Sequence, residues 1–168
     1  MVDMKLDIAS GQNKREGFTG IDIMPGSDIV HDLEIFPWPI ESDSVEEAHC
    51  AHFIEHTKDL FKFFDELYRI MKVGAKCQVI APYYNSIRAW QDPTHTRAIS
   101  ENTFLYANKN WRETNKLNHY PIRCDFDFTY GYQISAAWQS RHHEALQFAI
   151  RHYTNVVDDI YVTLMKRG

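Results

Sequence analysis

The stretch Leu6-Asp7-Ile8-Ala9-Ser10-Gly11 is a short apolar run closed by three small residues. A buried strand that ends this way lets its backbone pass close to a ligand, and Gly11 supplies the unusual angles such a turn needs. Amides of this loop can then face a carboxylate or a ribose. Downstream, Gly20-Ile21-Asp22 places an acid at the end of a second apolar run, with Ile23 beside it. A carboxylate there can accept two hydrogen bonds from a vicinal diol, as nucleoside-binding α/β folds do with ribose. His31-Asp32-Leu33 closes a third run, where an acid followed by Leu can meet an adenine amino group and pack on its ring. Singly, each of these reads equally well as a turn or a helix cap, and the full G-x-G-x-x-G fingerprint is absent. Their order and company carry the reading.

A second constellation is His52-Phe53-Ile54-Glu55-His56, which matches H-x-x-E-H, the inverted zinc-protease signature. On a helix the two histidines would share one face, with Glu55 as base for a metal-bound water and His49, His95 or Asp92 completing the set. A zinc-dependent hydrolase is therefore the rival reading. Without a metal, the same letters leave His52 following a strand and His56 as a structural hydrogen-bonding residue. Asp92-Pro93-Thr94-His95 follows a strong β run and can bring His95 to an acceptor. His52 and His95 are the candidate bases, because neutral imidazole is available near pH 7. Tyr83, Tyr84 and Trp90 can wall an acceptor pocket or cover the core. His142-His143 reads as surface.

These residues need strands and turns to position them. Apolar runs predict strands at Lys5–Ala9, Phe18–Ile23, Asp28–Leu33, Val45–Cys50 and Lys76–Ala81. Leu60, Phe61, Phe64, Leu67, Tyr68 and Met71 recur at three- and four-residue spacing and predict a helix from about Lys58 to Met71, with Gly74 as its left-handed C-cap. Further on, Ser100–Asn108 reads as a short helix capped by Ser100, Phe126–Ile134 as a strand, Arg141–His152 as a helix and Val156–Met165 as a long strand. Strands separated by a helix imply a parallel sheet with crossovers, and two late strands an antiparallel edge. Pro37-Trp38-Pro39 fixes an extended loop that holds a large aromatic rigidly, against the core or a pocket.

The chain has 168 residues, one domain's worth, with no internal repeat or linker, so residues 1–168 are read as a single domain. Its 18 basic and 23 acidic side chains leave a net charge of −5, which argues against a nucleic-acid backbone binder. Cys50, Cys77 and Cys124 form no CxxC pair, and read as buried free thiols in a reducing compartment. No run has signal-peptide or membrane-span length, so a cytoplasmic protein without membrane association is expected.

The order of segments resembles the class I S-adenosylmethionine-dependent methyltransferases, in particular the small branch related to quinone- and sterol-type enzymes. The resemblance runs through LDIASG (6–11), GFTGIDI (17–23), IVHDLEIFPWPIESDSVEEAHCAHFIEH (29–56), ELYRIMKVGAKCQVIAPY (66–83) and DPTHTRAISENTF (92–104), about two-thirds of the chain. It implies a Rossmann-like α/β fold with a mostly parallel sheet and an antiparallel C-terminal edge. It also implies S-adenosylmethionine as cofactor, a small-molecule acceptor and no metal. Carried onto this sequence, it gives Asp7, Ala9, Ser10 and Gly11 as the cofactor loop. Asp22 and Ile23 fall on the ribose side, Asp32 and Leu33 on the adenine side, and His52 beside the transferable methyl, ahead of a helix of the L-E-H kind. The departures are Ala9 and Ser10 at positions usually glycine, Lys72-Val73-Gly74-Ala75 in place of Lys-Pro-Gly-Gly, and no helix ahead of the first strand. Only Gln12–Gly17 separates the loop from the second strand, so the first crossover is shortened to about a turn. That last departure motivates a further alternative, a cofactor-binding domain without catalysis.

Overall fold

The computed structural model describes residues 4–168. Seven strands form one sheet: β1 (Met4–Ile8), β2 (Thr19–Asp22), β3 (Ile29–Val30), β4 (Val45–Ala51), β5 (Met71–Pro82), β6 (Phe126–Ile134) and β7 (Val157–Lys166). Their order is β3-β2-β1-β4-β5-β7-β6. The first five run parallel, and β7 inserts antiparallel between β5 and β6. The antiparallel strand thus lies one in from the edge, and β6 pairs with it alone.

The apolar layer explains the strands. Leu6, Ile8, Ala48, Cys50, Cys77, Val79, Ile160, Val162 and Leu164 alternate along four neighbouring strands and are buried on one face. Helix α1 (Leu60–Ile70), capped by Asp59 Oδ1 accepting the Lys62 amide at 3.1 Å, drives Phe63, Phe64, Leu67 and Ile70 into that layer. Trp38 joins it: the indole is 2 % exposed, stands edge-on to Phe63, and donates Nε1–H to the Leu33 carbonyl at 3.1 Å. The extended Pro37–Pro39 loop therefore serves the core rather than a pocket.

Several expectations need correcting. Helix α1 stops at Ile70, where Met71 turns to extended backbone and starts β5 directly, so Gly74 is not a helix cap. Gly74 sits at φ +81° inside β5, where the pairing jumps from Val45↔Met71 to Glu47↔Lys76. The Ser100-capped segment, Glu101–Ala107, is a 3₁₀ helix with both hydrogen bonds of a capping box. Three helices complete the set, α2 (Arg88–Gln91), α3 (Lys109–Thr114) and α4 (His143–His152), the first two unanticipated by any periodicity. Residues 52–57 form turns, not the helix expected after β4.

The shortened first crossover is present, and residues 9–18 contain turns with no helix. The β2–β3 and β3–β4 connections are likewise helix-free. Parallel sheets are normally covered on both faces. Here the second face keeps polar side chains in water: Lys76 and Gln78 are exposed, and Lys5 pairs with Glu47 at 2.8 Å across neighbouring strands. No helix among the described residues is long and apolar enough to cross a membrane.

Candidate functional site

The chain passes outward from β1 to β2 and β3, then returns to β4, so the order reverses between β1 and β4. In open α/β sheets ligands bind outside the strand carboxyl ends at such a reversal. Both strands that flank it are followed at once by a non-glycine residue held in the left-handed region, Ala9 at φ +55° and His52 at φ +53°. Side chains avoid that region at a cost of ~1–2 kcal/mol, and such strain collects at functional sites. The same φ at His52 explains why no helix starts there.

The loop after β1 is bound on its inner side. The Ala9 amide donates to the Ile21 carbonyl at 2.9 Å, and the Gly11 amide donates to Asp22 Oδ2 at 2.9 Å. Asp22 Oδ1 accepts the Met24 amide at 2.9 Å. Each carboxylate oxygen keeps a further lone pair for an outside donor, and Asp22 remains 8 % exposed. Gly20 is the close approach beneath the loop: a Cβ there would lie 2.6 Å from Ser10 Oγ. Above Gly11 the space is open, with nothing within 4 Å of where a Cβ would be. A 390 Å³ cleft opens beside the loop, lined by Ser10, Gly11, Lys14, Met24 and Asp28.

Asp7 has a different position. It is 3 % exposed, with Oδ1 2.8 Å from His49 Nδ1 and Oδ2 accepting the Arg15 amide at 2.8 Å. It fastens the loop from behind and does not reach the cleft mouth. Ile23, by contrast, is 63 % exposed beside Asp22, an unpaired apolar plate. Asp32 Oδ1 accepts the Glu34 amide at 2.9 Å, the capping role open to any such Asp. Leu33 is 5 % exposed and packed in the core.

Across the reversal, His52, Glu55, His56, Arg88, Asp92 and His95 line a 300 Å³ cleft at the carboxyl ends of β4 and β5. The two loops that build it are stapled together. Thr96 donates its amide to the Glu55 carbonyl at 2.8 Å, and the Arg97 guanidinium donates to the Ile54, Thr57 and Lys58 carbonyls. The Glu55 carboxylate stands 3.5 Å from His52 Nδ1 and holds the imidazole above its ordinary pKa, with Asp159 adding to this and burial opposing it. Arg88 and Asp159 were not foreseen. They pair at 2.6 Å, and burial pushes the Asp159 carboxyl up against the opposing pull of His52 and Arg88. A buried acid near the start of an apolar strand was the signal available in Asp158-Asp159. Tyr83 and Tyr84 part company: Tyr83 is 3 % exposed in the core, while Tyr84 and Trp90 lie exposed at the rim.

No protein-family model matches the sequence, and no curated protein does either. Solved structures match throughout. A SAM-dependent methyltransferase from Archaeoglobus fulgidus superposes with a TM-score of 0.67 at 17% identity, over 97% of this chain and 86% of that one. An S-adenosylmethionine-dependent methyltransferase from Mesorhizobium loti gives 0.57 at 12% identity, over 97% and 90%. The plantazolicin methyltransferase BpumL in complex with SAH gives 0.58 at 14% identity, over 98% and 76%. This chain has the class I methyltransferase fold. The loop after β1 (Ala9–Gly11), the acid ending β2 (Asp22) and the residue after β4 (His52) lie at the carboxyl ends of neighbouring strands. The hydrolase reading of His52–His56 loses its basis, since no helix brings the two imidazoles to one face.

Proposed function

We propose that the chain binds S-adenosylmethionine at the β1–β4 reversal and transfers its methyl group to a small-molecule acceptor entering from the β5 side. The observation that carries this is the paired left-handed strand ends, Ala9 and His52, which hold the two walls of the crevice in strained backbone. The residues fit the cofactor. Asp22 has a lone pair on each oxygen for the ribose hydroxyls, Ile23 offers its exposed face to adenine, and Ser10 and Gly11 border the open loop surface. Asp7 organises the loop from beneath, and Leu33 acts only through the core.

The cofactor, when bound, supplies an electrophilic methyl group. The protein's part is alignment, exclusion of water and custody of a proton. His52 lies at the junction of cofactor crevice and acceptor cleft, half exposed, with Glu55 behind it to orient the ring and favour its protonated form. It is the residue proposed to take the acceptor proton. His95 lines the same cleft, its Nδ1 donating to the Ala89 carbonyl at 3.0 Å, and is the second candidate for that role. Beyond the cleft, Tyr84, Trp90, Arg151 and Tyr153 line a 510 Å³ hollow suited to an acceptor with an apolar body.

Titration calorimetry with S-adenosylmethionine and S-adenosylhomocysteine tests the reading. Saturable binding of both is expected; no heat at millimolar cofactor overturns it. Binding without turnover on a broad acceptor panel would select instead the cofactor-binding domain without catalysis. His52→Ala should lower turnover about a hundredfold, the scale of a lost general base.

A further inference from the structure

Glu55 is 1 % exposed, and neither of its carboxylate oxygens has a hydrogen-bond partner among the described residues. A buried carboxylate left this way costs several kcal/mol unless a cation or donor meets it. His52 Nδ1, at 3.5 Å, is placed as an ion pair without hydrogen-bond geometry. What does converge on Glu55 is a pair of imidazoles: donor atoms of Glu55, His56 and His95 all lie within 4.8 Å of one another. The two rings stand edge to face with centroids 4.6 Å apart.

The surroundings fix which nitrogens are free. Thr94 Oγ1 donates its one proton to Asp92 Oδ1 at 2.7 Å. The same oxygen is 3.0 Å from His56 Nδ1, so that nitrogen must carry the hydrogen and donate it. His95 Nδ1 faces the Ala89 carbonyl at 3.0 Å and must donate as well. Both rings are thereby held in the tautomer that leaves Nε2 with a bare lone pair. Two such imidazoles and an unpartnered carboxylate bring three electron-pair donors to one place. Locking a histidine through its other nitrogen is how proteins orient metal ligands.

We infer that Glu55, His56 and His95 bind a divalent transition-metal ion. Two imidazole nitrogens and one carboxylate oxygen suit Zn²⁺, Co²⁺ or Mn²⁺. Ligands on such an ion stand roughly 3–3.5 Å apart, given bonds of about 2.0–2.2 Å, so the 4.8 Å spread must close by about 1.3–1.8 Å on binding. All three ligands border the cleft that holds His52. The set differs from the H-x-x-E-H pattern. His52 is not in it, and His95 arrives from the β5 loop because Thr96 and Arg97 staple that loop to residues 54–58.

The test uses the full chain, stripped with chelator and dialysed without cofactor against Zn²⁺, Co²⁺ or Mn²⁺. Elemental analysis is expected to find one equivalent of at least one ion. His56→Ala and His95→Ala should each weaken retention at least tenfold, and His143→Ala should leave it unchanged. Circular dichroism checks that the variants are folded. Thr94→Ala, which frees the His56 tautomer but removes no ligand, should weaken retention about tenfold, and Co²⁺ should show a visible band that these changes shift. No retained metal, or retention equal in all variants, overturns the inference. Because no cofactor is present, the outcome is independent of the methyl-transfer reading.

Discussion

The amide of Gly11 donates to Asp22 Oδ2 at 2.9 Å, tying the turn after β1 to the last residue of β2. One carboxylate therefore shapes the loop after β1 and, in the function proposed above, is also offered to the ribose. Asp22→Ala should weaken S-adenosylmethionine binding at least tenfold by calorimetry. It should also lower unfolding free energy by about 1–3 kcal/mol in denaturant melts, the usual cost of stranding buried donors. Unchanged affinity with lowered stability would leave Asp22 a loop anchor only.

Ala9 holds φ +55°, a conformation its Cβ resists. Ala9→Gly should relieve that strain and raise stability by up to ~1 kcal/mol, after allowing for glycine's extra freedom when unfolded. Thermal unfolding reads it directly, and a lower melting temperature would refute it.

Gly20 has the opposite sensitivity. A methyl there would meet Ser10 Oγ at 2.6 Å and Lys14 Cδ at 2.9 Å. Gly20→Ala should displace the loop and cost about 1–3 kcal/mol, with weaker cofactor binding alongside. Ser10→Gly in that background should recover most of both losses, since it removes the nearer obstacle.

Glu66 is buried, accepting the Trp38 amide at 2.6 Å and pairing with Arg69 at 2.6 Å. Glu66→Ala should cost about 1–3 kcal/mol by stranding the buried Trp38 amide, while Arg69 keeps its bonds to Ser42 Oγ and the Trp38 carbonyl. Trp38→Phe, which keeps an aromatic ring but loses the Nε1–H bond to Leu33, should cost less. Denaturant titrations of the two variants decide the order.

Burial pushes the thiols of Cys50, Cys77 and Cys124 up from the ordinary value near 9. At pH 8 none should be ionised or reachable, so a thiol reagent should label the native chain slowly and all three after unfolding. Rapid labelling of any one in the native state would contradict its burial.

Much of this was legible in the sequence because it rests on local pattern. Phe126–Ile134 was bounded to the residue, and α1 to within two at its start, since alternation and three-to-four spacing survive packing. Ser10, Gly11 and Asp22 were legible as a loop and an acid, but not that the loop's amide and the acid bond to each other. Where tertiary effects decide, the pattern misled. Gly74 looked like a helix stop because a glycine follows an apolar helix, yet it relieves a register jump against β4. Residues 52–56 looked helical by spacing, while His52 occupies backbone angles a helix cannot use. Leu33 and Asp7 carried the right residue types but are drawn to the core and to His49. The gathering of His95 with Glu55 and His56 depends on backbone carbonyls receiving Thr96 and Arg97, which no residue pattern encodes.

The place of β7 between β5 and β6 has a consequence for how the chain is made. Residues 126–134 leave the ribosome before residues 157–166, yet β7 is their one partner in the sheet. Until it is synthesised, β6 has an unpaired edge on both sides, and Tyr130 and Tyr132 wait without a ladder to join. During translation the parallel strands can assemble in turn, whereas β6 and β7 must dock together as one hairpin-like unit. A stalled nascent chain in which residues 126–134 have emerged but residues 157–166 have not should therefore expose an aromatic, strand-forming segment to chaperones, and one in which both strands have emerged should not.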